Sequence, residues 1–315
     1  MNNVLQLKQL TKTYGDFAAV DQLSLSIKEG EIFGFLGANG AGKSTTIHMI
    51  ASLIPITKGE IEVLGKNIVK NRRFAKSNIG IVPQEIAIYE DMTAYENVRF
   101  FAGLYGLRGA LLKSRTEEAL AFVGLDDKHR SFPRDFSGGM KRRLNIACAI
   151  AHRPKLIIMD EPTVGIDPQS RNYILESVKK LNAMGSTVIY TSHYMEEVEE
   201  ICTRIAIIDH GKIIAEGTQA QLKSIITDQK TIGIEVRTME GLNLEKLSGI
   251  AGVRSVEANE ERREIRVSSD AEVNNLNRIL KELLADGMEI RAVEERQPSL
   301  ETVFLTLTGR SLRDN

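Results

Sequence analysis

The sequence predicts an α/β domain with an inserted helical subdomain, followed by a small α+β domain. The first observation is a glycine-rich loop, residues 37–44, between a short apolar stretch and an amphipathic segment, in the order strand, loop, helix. The second is a set of further short apolar stretches, such as residues 156–159, which are typical of buried parallel strands. The third is the segment from residue 228 onwards, which follows the order strand, helix, strand, strand, helix, strand. That order is typical of the ferredoxin-like arrangement.

The composition indicates a globular protein without general affinity for nucleic acid. The 315 residues are enough for one large domain and a smaller one, and 42% of them are hydrophobic. Lysine and arginine number 41 against 42 aspartates and glutamates, so no nucleic-acid partner is expected. Cys148 and Cys202 are too few for a disulfide framework or a zinc site, and we expect two buried thiols. No secretory signal and no apolar run of about 20 residues is visible, so we expect a cytosolic location.

The glycine-rich loop matches the phosphate-binding pattern G-x-x-x-x-G-K-[ST]. Its glycines let the backbone bend so that N–H groups face a phosphate, and the following helix adds about half a positive charge at its N-terminus. Lys43 is expected to reach the β- and γ-phosphates, and the Ser44 hydroxyl to take a Mg²⁺ position. The expected nucleotide contacts are Gly37, Ala38, Asn39, Gly40, Ala41, Gly42, Lys43, Ser44 and Thr45. The loop therefore predicts a nucleoside triphosphate site.

Two candidate residues lie at the ends of predicted strands on either side of the loop. Residues 4–10 and 22–27 alternate like half-buried strands, and Tyr14 follows the first of them. The spacing of Tyr14 favours plain packing, although its ring is also a flat surface on which a nucleobase can stack. Gln84 follows a strand predicted over residues 79–82, at the end where ligands bind to an open α/β sheet. From spacing alone, an ordinary surface glutamine is the better interpretation of Gln84.

The segment after Gln84 is predicted to be helical. Thr93 and Glu96 fit a capping box, and a second helix is expected from about residue 111 to residue 123. These helices interrupt the predicted sheet, which gives a helical subdomain over about residues 85–155. Its surface can dock another protein or simply pack on the core, and the sequence favours neither.

Ser137, Gly138 and Gly139 open the next predicted helix, over residues 141–151. Serine is a good N-cap, and two glycines leave the N–H groups of a helix N-terminus accessible to an anion. The pattern therefore indicates either a second anion site or simple helix capping.

Two acids and a histidine follow the strands predicted over residues 156–159 and 187–191. Asp160 comes directly after the first strand, where proteins with a phosphate loop place a Mg²⁺ ligand. Glu161 can accept a hydrogen bond from the attacking water and orient or deprotonate it. His193 lies at the same kind of strand end as Asp160, which favours a phosphate contact over a structural role.

Up to about residue 226, the sequence closely resembles the nucleotide-binding subunit of an ABC transporter. The resemblance rests on six elements in one order: the loop GANGAGKS, Gln84, FSGGM at residues 136–140, LIIMDE at residues 156–161, VGID at residues 164–167 and His193. It implies a P-loop NTPase fold, with ATP and Mg²⁺ as ligands and ATP hydrolysis as the activity. With the change of pattern near residue 228, it divides the chain into an ATPase domain over residues 1–227 and an accessory domain over residues 228–315.

The resemblance also gives roles to residues whose patterns are ambiguous. It implies that Tyr14 stacks on the adenine, which replaces the packing interpretation, and that Gln84 touches Mg²⁺ and couples to the membrane subunit. It makes Ser137, Gly138 and Gly139 the signature that binds the γ-phosphate of the ATP held by the other protomer. The expected catalytic residues are Lys43, Gln84, Glu161 and His193, and the expected Mg²⁺ contacts are Ser44, Gln84 and Asp160.

The sequence departs from the family pattern at two places. The signature reads FSGGM where the family has leucine first and glutamine last, and the interface loop that ends at Asp167 reads VGID instead of serine-alanine-leucine-aspartate. FSGGM and the tail PSLETVFLTLTGR, residues 298–310, resemble the subgroup that exports drugs, antibiotics or other amphipathic compounds.

The resemblance implies a homodimer, or a pair with a similar ATPase subunit, held at the inner face of the cell membrane by separate permease subunits. The residues support dimerisation independently, because the chain has two helix N-terminal anion sites but one set of hydrolytic carboxylates and no obvious arginine finger. Two alternatives stay open. A soluble ABC protein acting on ribosomes or DNA usually has two fused cassettes or a long coiled-coil insertion, and an importer ATPase would be distinguished by its neighbouring genes.

The C-terminal segment shows no chemical constellation. We expect it to stabilise a dimer, regulate activity or bind a small ligand, in that order. Truncation at residue 228 is expected to leave ATP binding intact.

Overall fold

The computed structural model describes residues 2–226, 229–270, 273–296 and 299–309. The chain forms two compact units, one that extends to Gln219 and one over Ala220–Gly309. Within the described ranges, no helix combines the length and the apolar character that crossing a membrane requires.

The first unit is built from two sheets and the helices around them. Its strands are β1 (Asn3–Tyr14), β2 (Phe17–Lys28), β3 (Ile32–Leu36), β4 (Lys58–Val63), β5 (Lys66–Asn67), β6 (Ile79–Val82), β7 (Leu156–Asp160), β8 (Thr187–Thr191), β9 (Arg204–Asp209) and β10 (Lys212–Gly217). Its helices are α1 (Lys43–Ile50), α2 (Arg72–Asn78), α3 (Ala94–Leu104), α4 (Gly109–Phe122), α5 (Gly138–Ile150), α6 (Pro168–Ala183) and α7 (Met195–Ile201), and α8 (Gln219–Lys223) spans the boundary between the units.

The central sheet has the strand order β10-β9-β3-β8-β7-β6, and only β10 is antiparallel to its neighbour. Every residue of β3, β7 and β8 is buried, which explains why these strands are continuous apolar runs rather than alternating patterns. Because β3, β8, β7 and β6 run parallel, their carboxyl ends lie at one edge of the sheet. This edge receives the glycine-rich loop and the segments after the other three strands.

The second sheet is antiparallel, with the order β2-β1-β4-β5. Leu23, Leu25 and Ile27 are buried on one face of β2, as their alternation predicts. They belong to one apolar core with Phe33 of β3 and Ile47 of α1. The two sheets therefore share a core that holds α1 and the loop before it.

The helical subdomain is inserted between β6 and β7. Thr93 caps α3, and its side chain and that of Glu96 form the predicted capping box. Helices α3 and α4 pack on each other and on α5. Cys148 on α5 and Cys202 after α7 are buried free thiols, as predicted.

The second unit has the predicted ferredoxin-like fold. Its elements are β11 (Gln229–Val236), α9 (Leu244–Ser248), β12 (Val253–Asn259), β13 (Glu264–Asp270), α10 (Leu276–Ala285), β14 (Ile290–Arg296) and α11 (Leu300–Thr308). The antiparallel sheet has the order β12-β13-β11-β14, and Ile279 and Leu283 of α10 join its apolar core. Helix α11 lies in the tail PSLETVFLTLTGR, residues 298–310. Pro298 and Arg310 of this tail lie outside the described residues.

The structure corrects the sequence predictions at two helix boundaries and adds two helices that were not predicted. The amphipathic segment after the loop has Ile47, Ile50 and Leu53 at helical spacing, which predicts a helix to residue 53. Helix α1 ends earlier, at Ile50, because Ser52 has a left-handed φ of 56°, which breaks the helical path. Helix α5 begins at Gly138 instead of residue 141, because Ser137 caps it directly. Helices α2 and α7 were not predicted, since each has seven residues, too short for a clear apolar period.

Candidate active site

The glycine-rich loop forms a strained turn around a helix N-terminus. Gly40 and Gly42 have φ values of 79° and 105°, in the region that favours glycine. A Cβ on Gly42 would lie 2.4 Å from the Ala19 carbonyl oxygen, so no other residue fits there without a shift of the backbone. Helix α1 has no side-chain cap at Gly42, and its first N–H groups therefore remain available to an anion.

Lys43 is buried inside this loop. Its Nζ donates hydrogen bonds to the Gly37 and Ala38 carbonyl oxygens, at 2.5 and 3.2 Å. Burial lowers the pKa of Lys43, while the Glu161 and Asp160 carboxylates act in the opposite direction. Two acids from a different strand end thus act electrostatically on the loop lysine, which agrees with a shared site. The Ser44 side chain is exposed and Thr45 is half-buried, both in the first turn of α1.

Thr191, the last residue of β8, links the two acids. Its hydroxyl accepts a hydrogen bond from the Glu161 backbone N–H at 2.9 Å and donates one to Asp160 Oδ1 at 2.7 Å. Glu161 has a φ of 45°, an uncommon conformation for a residue with a side chain. The sequence predictions missed Thr191, although a hydroxyl at the end of an apolar strand next to Asp160 was a usable signal.

His193 lies beside Glu161. Its Nδ1 is 3.4 Å from Glu161 Oε2, and its ring contacts that of Tyr194 with centroids 4.4 Å apart. Glu161 follows the carboxyl end of β7, and His193 follows that of the neighbouring parallel strand β8. The structure therefore brings together Lys43, Asp160, Glu161 and His193, as the sequence predicts.

Gln84 lies after β6, the neighbour of β7, and its side chain is exposed. Its backbone carbonyl accepts a hydrogen bond from Arg142 Nη2 at 2.5 Å, and the Pro83 carbonyl accepts one from Arg142 Nη1 at 2.6 Å. Arg142 is 3% exposed, and burial lowers its pKa. This guanidinium, which sequence reasoning missed, fixes the Gln84 backbone to helix α5.

Tyr14 is 52% exposed at the end of β1, with Lys12 Nζ 4.9 Å from its ring centroid. The packing interpretation of Tyr14 is therefore wrong, because such an exposed ring does not belong to the core. An exposed aromatic face beside a lysine is a suitable surface for a nucleobase. Stacking on adenine stays a prediction.

Ser137, Gly138 and Gly139 lie at the start of α5. The Ser137 side chain accepts a hydrogen bond from the Met140 N–H, while Ser137 and Gly138 are exposed. A Cβ on Gly139 would lie 2.1 Å from Ser170 Oγ, so glycine permits close packing of α5 on α6. Among the described residues of this one chain, no hydrogen bond or ion pair joins these three residues to the glycine-rich loop.

Asp167 caps α6 in the segment that follows Glu161. Its carboxylate accepts a hydrogen bond from the Ser170 N–H at 2.9 Å, which lowers the pKa of Asp167. Pro168 occupies the first turn, as predicted.

The site fits a nucleotide-bound Mg²⁺. Asp160 supplies a carboxylate and Ser44 an exposed hydroxyl, and Mg²⁺ prefers oxygen ligands. Within the described ranges, no group of three or more His, Cys, Asp or Glu side chains forms a metal cage. Mg²⁺ that binds with substrate phosphates needs only one or two protein carboxylates, so the donors present are sufficient.

A phosphate loop between a buried strand and a helix, with an acid at the end of a neighbouring parallel strand, defines a P-loop NTPase. The family described as "ABC transporter" matches residues 20–164, and the family described as "ATP-binding protein DrrA1-3-like, C-terminal domain" matches residues 217–308. The chain belongs to the ATP-binding subunits of ABC transporters, and it is an ATPase.

The relatives match almost the whole chain. The linearmycin resistance ATP-binding protein of Bacillus subtilis (strain 168) is 48% identical, in an alignment that spans 99% of this chain and 100% of the relative's length. The daunorubicin resistance ATP-binding protein of Streptomyces coeruleorubidus is 33% identical, over 96% of this chain and 95% of its own. The Nod factor export ATP-binding protein I of Sinorhizobium fredii is 39% identical, over 98% of this chain and 87% of its own.

Solved structures match the first part of the chain. An ATP-binding subunit of an ABC transporter has a TM-score of 0.65 and 30% identity, over 70% of this chain and 92% of its own. An ATP-binding cassette in a dimeric post-hydrolysis state, bound to ADP and Pi, has a TM-score of 0.62 and 29% identity, over 68% of this chain and 98% of its own. The ABC ATPase fold is thereby confirmed.

Proposed function

We propose that this chain is the motor subunit of an exporter of antibiotics, drugs or similar amphipathic compounds, with the transport path in separate permease subunits. The observation that carries the proposal is the likeness to the linearmycin resistance protein, which is 48% identical and extends over both units. The DrrA-like match over residues 217–308 supports the same assignment for the second unit. The division into an ATPase domain over residues 1–227, with a helical subdomain over about 85–155, and an accessory domain over residues 228–315 is part of this proposal.

The site geometry supports one division of labour during hydrolysis. Lys43 and the N–H groups of the loop hold the phosphates, and Tyr14 stacks on the adenine. Glu161 orients or deprotonates the attacking water, and Thr191 fixes its backbone beside Asp160 by accepting a hydrogen bond from the Glu161 N–H. His193, 3.4 Å from Glu161, contacts the γ-phosphate.

We assign Mg²⁺ as the metal cofactor. Ser44, Gln84 and Asp160 would hold it together with the phosphates, and it would neutralise charge that develops on the γ-phosphoryl group. The Thr191 hydroxyl orients Asp160 for this role.

We propose that two copies, or this chain and a similar ATPase subunit, enclose two ATP molecules. Ser137 and Gly138 are exposed at the N-terminus of a 13-residue helix, where N–H groups can donate hydrogen bonds to an anion. A solved relative of this fold is a dimer. Ser137, Gly138 and Gly139 of one copy would thus close the site formed by residues 37–45 of the other.

A cluster of exposed apolar side chains on the helical subdomain fits a permease subunit as its partner. Tyr89 and Phe100 are 49% and 40% exposed with ring centroids 5.3 Å apart, and Leu104 is 68% exposed. Contiguous apolar surface of this kind marks an interaction site. Tyr89 is five residues after Gln84, whose backbone Arg142 holds, so docking there would reach the nucleotide site through this segment and place the chain at the inner face of the membrane.

Resistance measurements test the exporter. Cells that express the chain with the membrane proteins encoded beside it should tolerate linearmycin or daunorubicin better than cells without it, and Glu161→Gln should abolish the difference. Glu176→Gln, an exposed change of the same kind on α6, is the control and should retain resistance. Equal resistance with and without the Glu161 carboxylate would contradict the proposal.

Particle size tests the dimer. Glu161→Gln protein should be a dimer with Mg²⁺ and ATP and a monomer without them, because bound ATP then persists. A protein that stays monomeric at saturating ATP would exclude this arrangement.

A further inference from the structure

Glu197, on the short helix α7, is a fully buried acid outside the set of residues that contact nucleotide. Its carboxylate is 0% exposed. Three hydroxyl groups donate hydrogen bonds to its Oε2: Thr163 at 2.9 Å, Tyr190 at 2.8 Å and Ser192 at 2.8 Å. Three donors on one oxygen are the arrangement expected for an ionised carboxylate, which only accepts hydrogen bonds.

These donors come from the two segments that carry the hydrolytic side chains. Thr163 is two residues after Glu161, and Ser192 directly precedes His193. Ser192 Oγ also accepts a hydrogen bond from the Tyr194 N–H at 2.9 Å, so the turn on both sides of His193 is tied to the same carboxylate.

The other oxygen of Glu197 faces Arg171 on α6. Arg171 Nε lies 2.7 Å from Glu197 Oε1 in an ion pair, and no hydrogen bond to this oxygen is formed among the described residues. The Arg171 guanidinium also lies 5.1 Å from the Tyr194 ring centroid. Arg171 is one turn after Asp167, so Glu197 connects the start of α6 to the His193 turn.

Stability alone does not account for this buried charge. A buried ion pair costs desolvation free energy, and apolar side chains of similar volume often serve the fold equally well. Burial raises the pKa of the Tyr190 phenol, and the Glu197 charge raises it further, so Tyr190 stays protonated and donates. Glu197 and its three hydroxyl donors are buried, whereas Arg171 is 27% exposed. The donors belong to the Glu161 and His193 segments, so the carboxylate holds these two segments together.

We propose that Glu197 is a positioning residue for ATP hydrolysis, which sets Glu161 and His193 relative to each other through Thr163 and Ser192. The proposal rests on the hydrolytic roles assigned above to Glu161 and His193. Their side chains are 3.4 Å apart, and Glu161 has an uncommon backbone conformation, so a loosened segment would separate them. A shift of about 1 Å at a reacting group can reduce a rate about a hundredfold.

Steady-state kinetics of the full chain tests the proposal with Glu197→Gln. We expect kcat for ATP to fall about tenfold or more, with KM within about twofold of the original value, because the loop that binds phosphate is not touched. Glu196→Gln is the matched control, since Glu196 is adjacent on α7 but its side chain is 82% exposed. A rise in KM with unchanged kcat, or an equal loss in both variants, would overturn the proposal.

A double-mutant cycle separates positioning from general damage. With enzyme in excess over ATP, slow single-turnover rates remain measurable for His193→Ala, Glu197→Gln and the double variant. If Glu197 acts through the His193 turn, the second change costs much less than it does alone. Effects that multiply would mean that Glu197 acts independently of His193, and they would refute the proposal.

Two further variants distinguish a folding defect, or a failure of the role assigned to Glu161, from a failure of the Glu197 proposal. If Glu197→Gln does not fold, Tyr190→Phe removes one donor at nearly constant volume and should give a smaller loss of kcat, which again shrinks in the His193→Ala background. An unchanged kcat for Tyr190→Phe would then count against the network. Separately, a Glu161→Gln protein that still hydrolyses ATP would show that the assigned role of Glu161 has failed, whatever Glu197 does.

Discussion

The two units of this chain differ in what they bury. The first unit buries polar groups where parallel strands end, and Lys43, Asp160, Thr191 and Glu197 are each no more than 8% exposed. The core of the second unit is made of apolar side chains such as Ile232, Ile265 and Leu283. Its described buried polar residues are Glu264, Ser269 and Asn275. Glu264 accepts hydrogen bonds from Arg266, and Asn275 donates to Ser269 Oγ and to the Ala251 carbonyl.

This difference distinguishes residues that serve the site from residues that only stabilise the fold. A buried polar group costs free energy unless it is hydrogen-bonded, so a connected set of such groups marks the place where a protein needs fixed charges. The first unit has that set at one sheet edge, and the second has a core that any ferredoxin-like fold requires. We therefore expect variants in the two units to affect different measurements.

Lys43→Met should have the largest effect on activity. The change removes the cation that holds the phosphates, and ATP hydrolysis should fall about 10²- to 10³-fold, as for other electrostatic contacts to a transition state. Thermal unfolding without nucleotide should be nearly unchanged, because the desolvation cost of the buried cation disappears together with its two carbonyl hydrogen bonds and its attraction to Glu161 and Asp160. Substantial ATPase activity in this variant would show that the loop is not the centre of the site.

Thr191→Val should have an intermediate effect. The valine keeps the strand and the volume but leaves the Glu161 N–H and Asp160 Oδ1 without this partner, so kcat should fall about tenfold and unfolding should become easier by about 1–3 kcal/mol. Thr191→Ser restores the hydroxyl and should recover most of the activity. The control is Thr187→Val at the other end of β8, where the hydroxyl accepts from the Gly30 N–H and only stability should change. Equal loss of kcat at both ends would mean that strand integrity, and not the hydroxyl, matters.

The sequence predicts the side chains at the strand ends well but not the residues that hold them in place. Lys43 follows from the loop motif, and Asp160 and His193 follow from their place at or just after the end of an apolar strand. Thr191 and Glu197 act on other residues through long-range contacts, and no local pattern shows such contacts. For Glu197 a signal was available, besides the one already noted for Thr191: Tyr194, Glu197, Val198 and Ile201 have helical spacing, which places a carboxylate on the buried face of α7.

The fold likewise has elements that the sequence predicts and elements that it does not. The ferredoxin-like order was predictable because its apolar residues alternate strongly, and the central sheet because its strands are continuous apolar runs. Helix α2, with Ala75 as its buried residue, has no apolar face to detect. Tyr14 and Gln84 could be assigned only by resemblance, since an exposed side chain at a strand end has many ordinary explanations.

Ile265→Ala should change stability without changing chemistry. Ile265 is fully buried in β13, and loss of its side chain should lower the free energy of unfolding of the second unit by about 2–5 kcal/mol. At temperatures where the second unit remains folded, kcat for ATP should equal that of the original chain. Circular dichroism during heating, with ATPase assays below the transition, separates the two quantities. A lower kcat in the folded variant would show that the second unit contributes to hydrolysis.

Asn275→Ala should have the smallest effect and tests the one place where the second unit resembles the first. Asn275 is 0% exposed, and its Nδ2 donates to the Ala251 carbonyl and to Ser269 Oγ, each at 3.0 Å. Its Oδ1 has no hydrogen-bond partner among the described residues, so the substitution removes an unsatisfied acceptor along with two bonds. The net loss of unfolding free energy should be about 1 kcal/mol, and ATP hydrolysis should not change. Ser269→Ala is the matched control and should behave alike, because Ser269 belongs to the same set of contacts, in which Asn275 joins it to the Ala251 carbonyl. If Asn275→Ala alone reduced kcat, the second unit would contain a polar group with a function, and the contrast between the units would not hold.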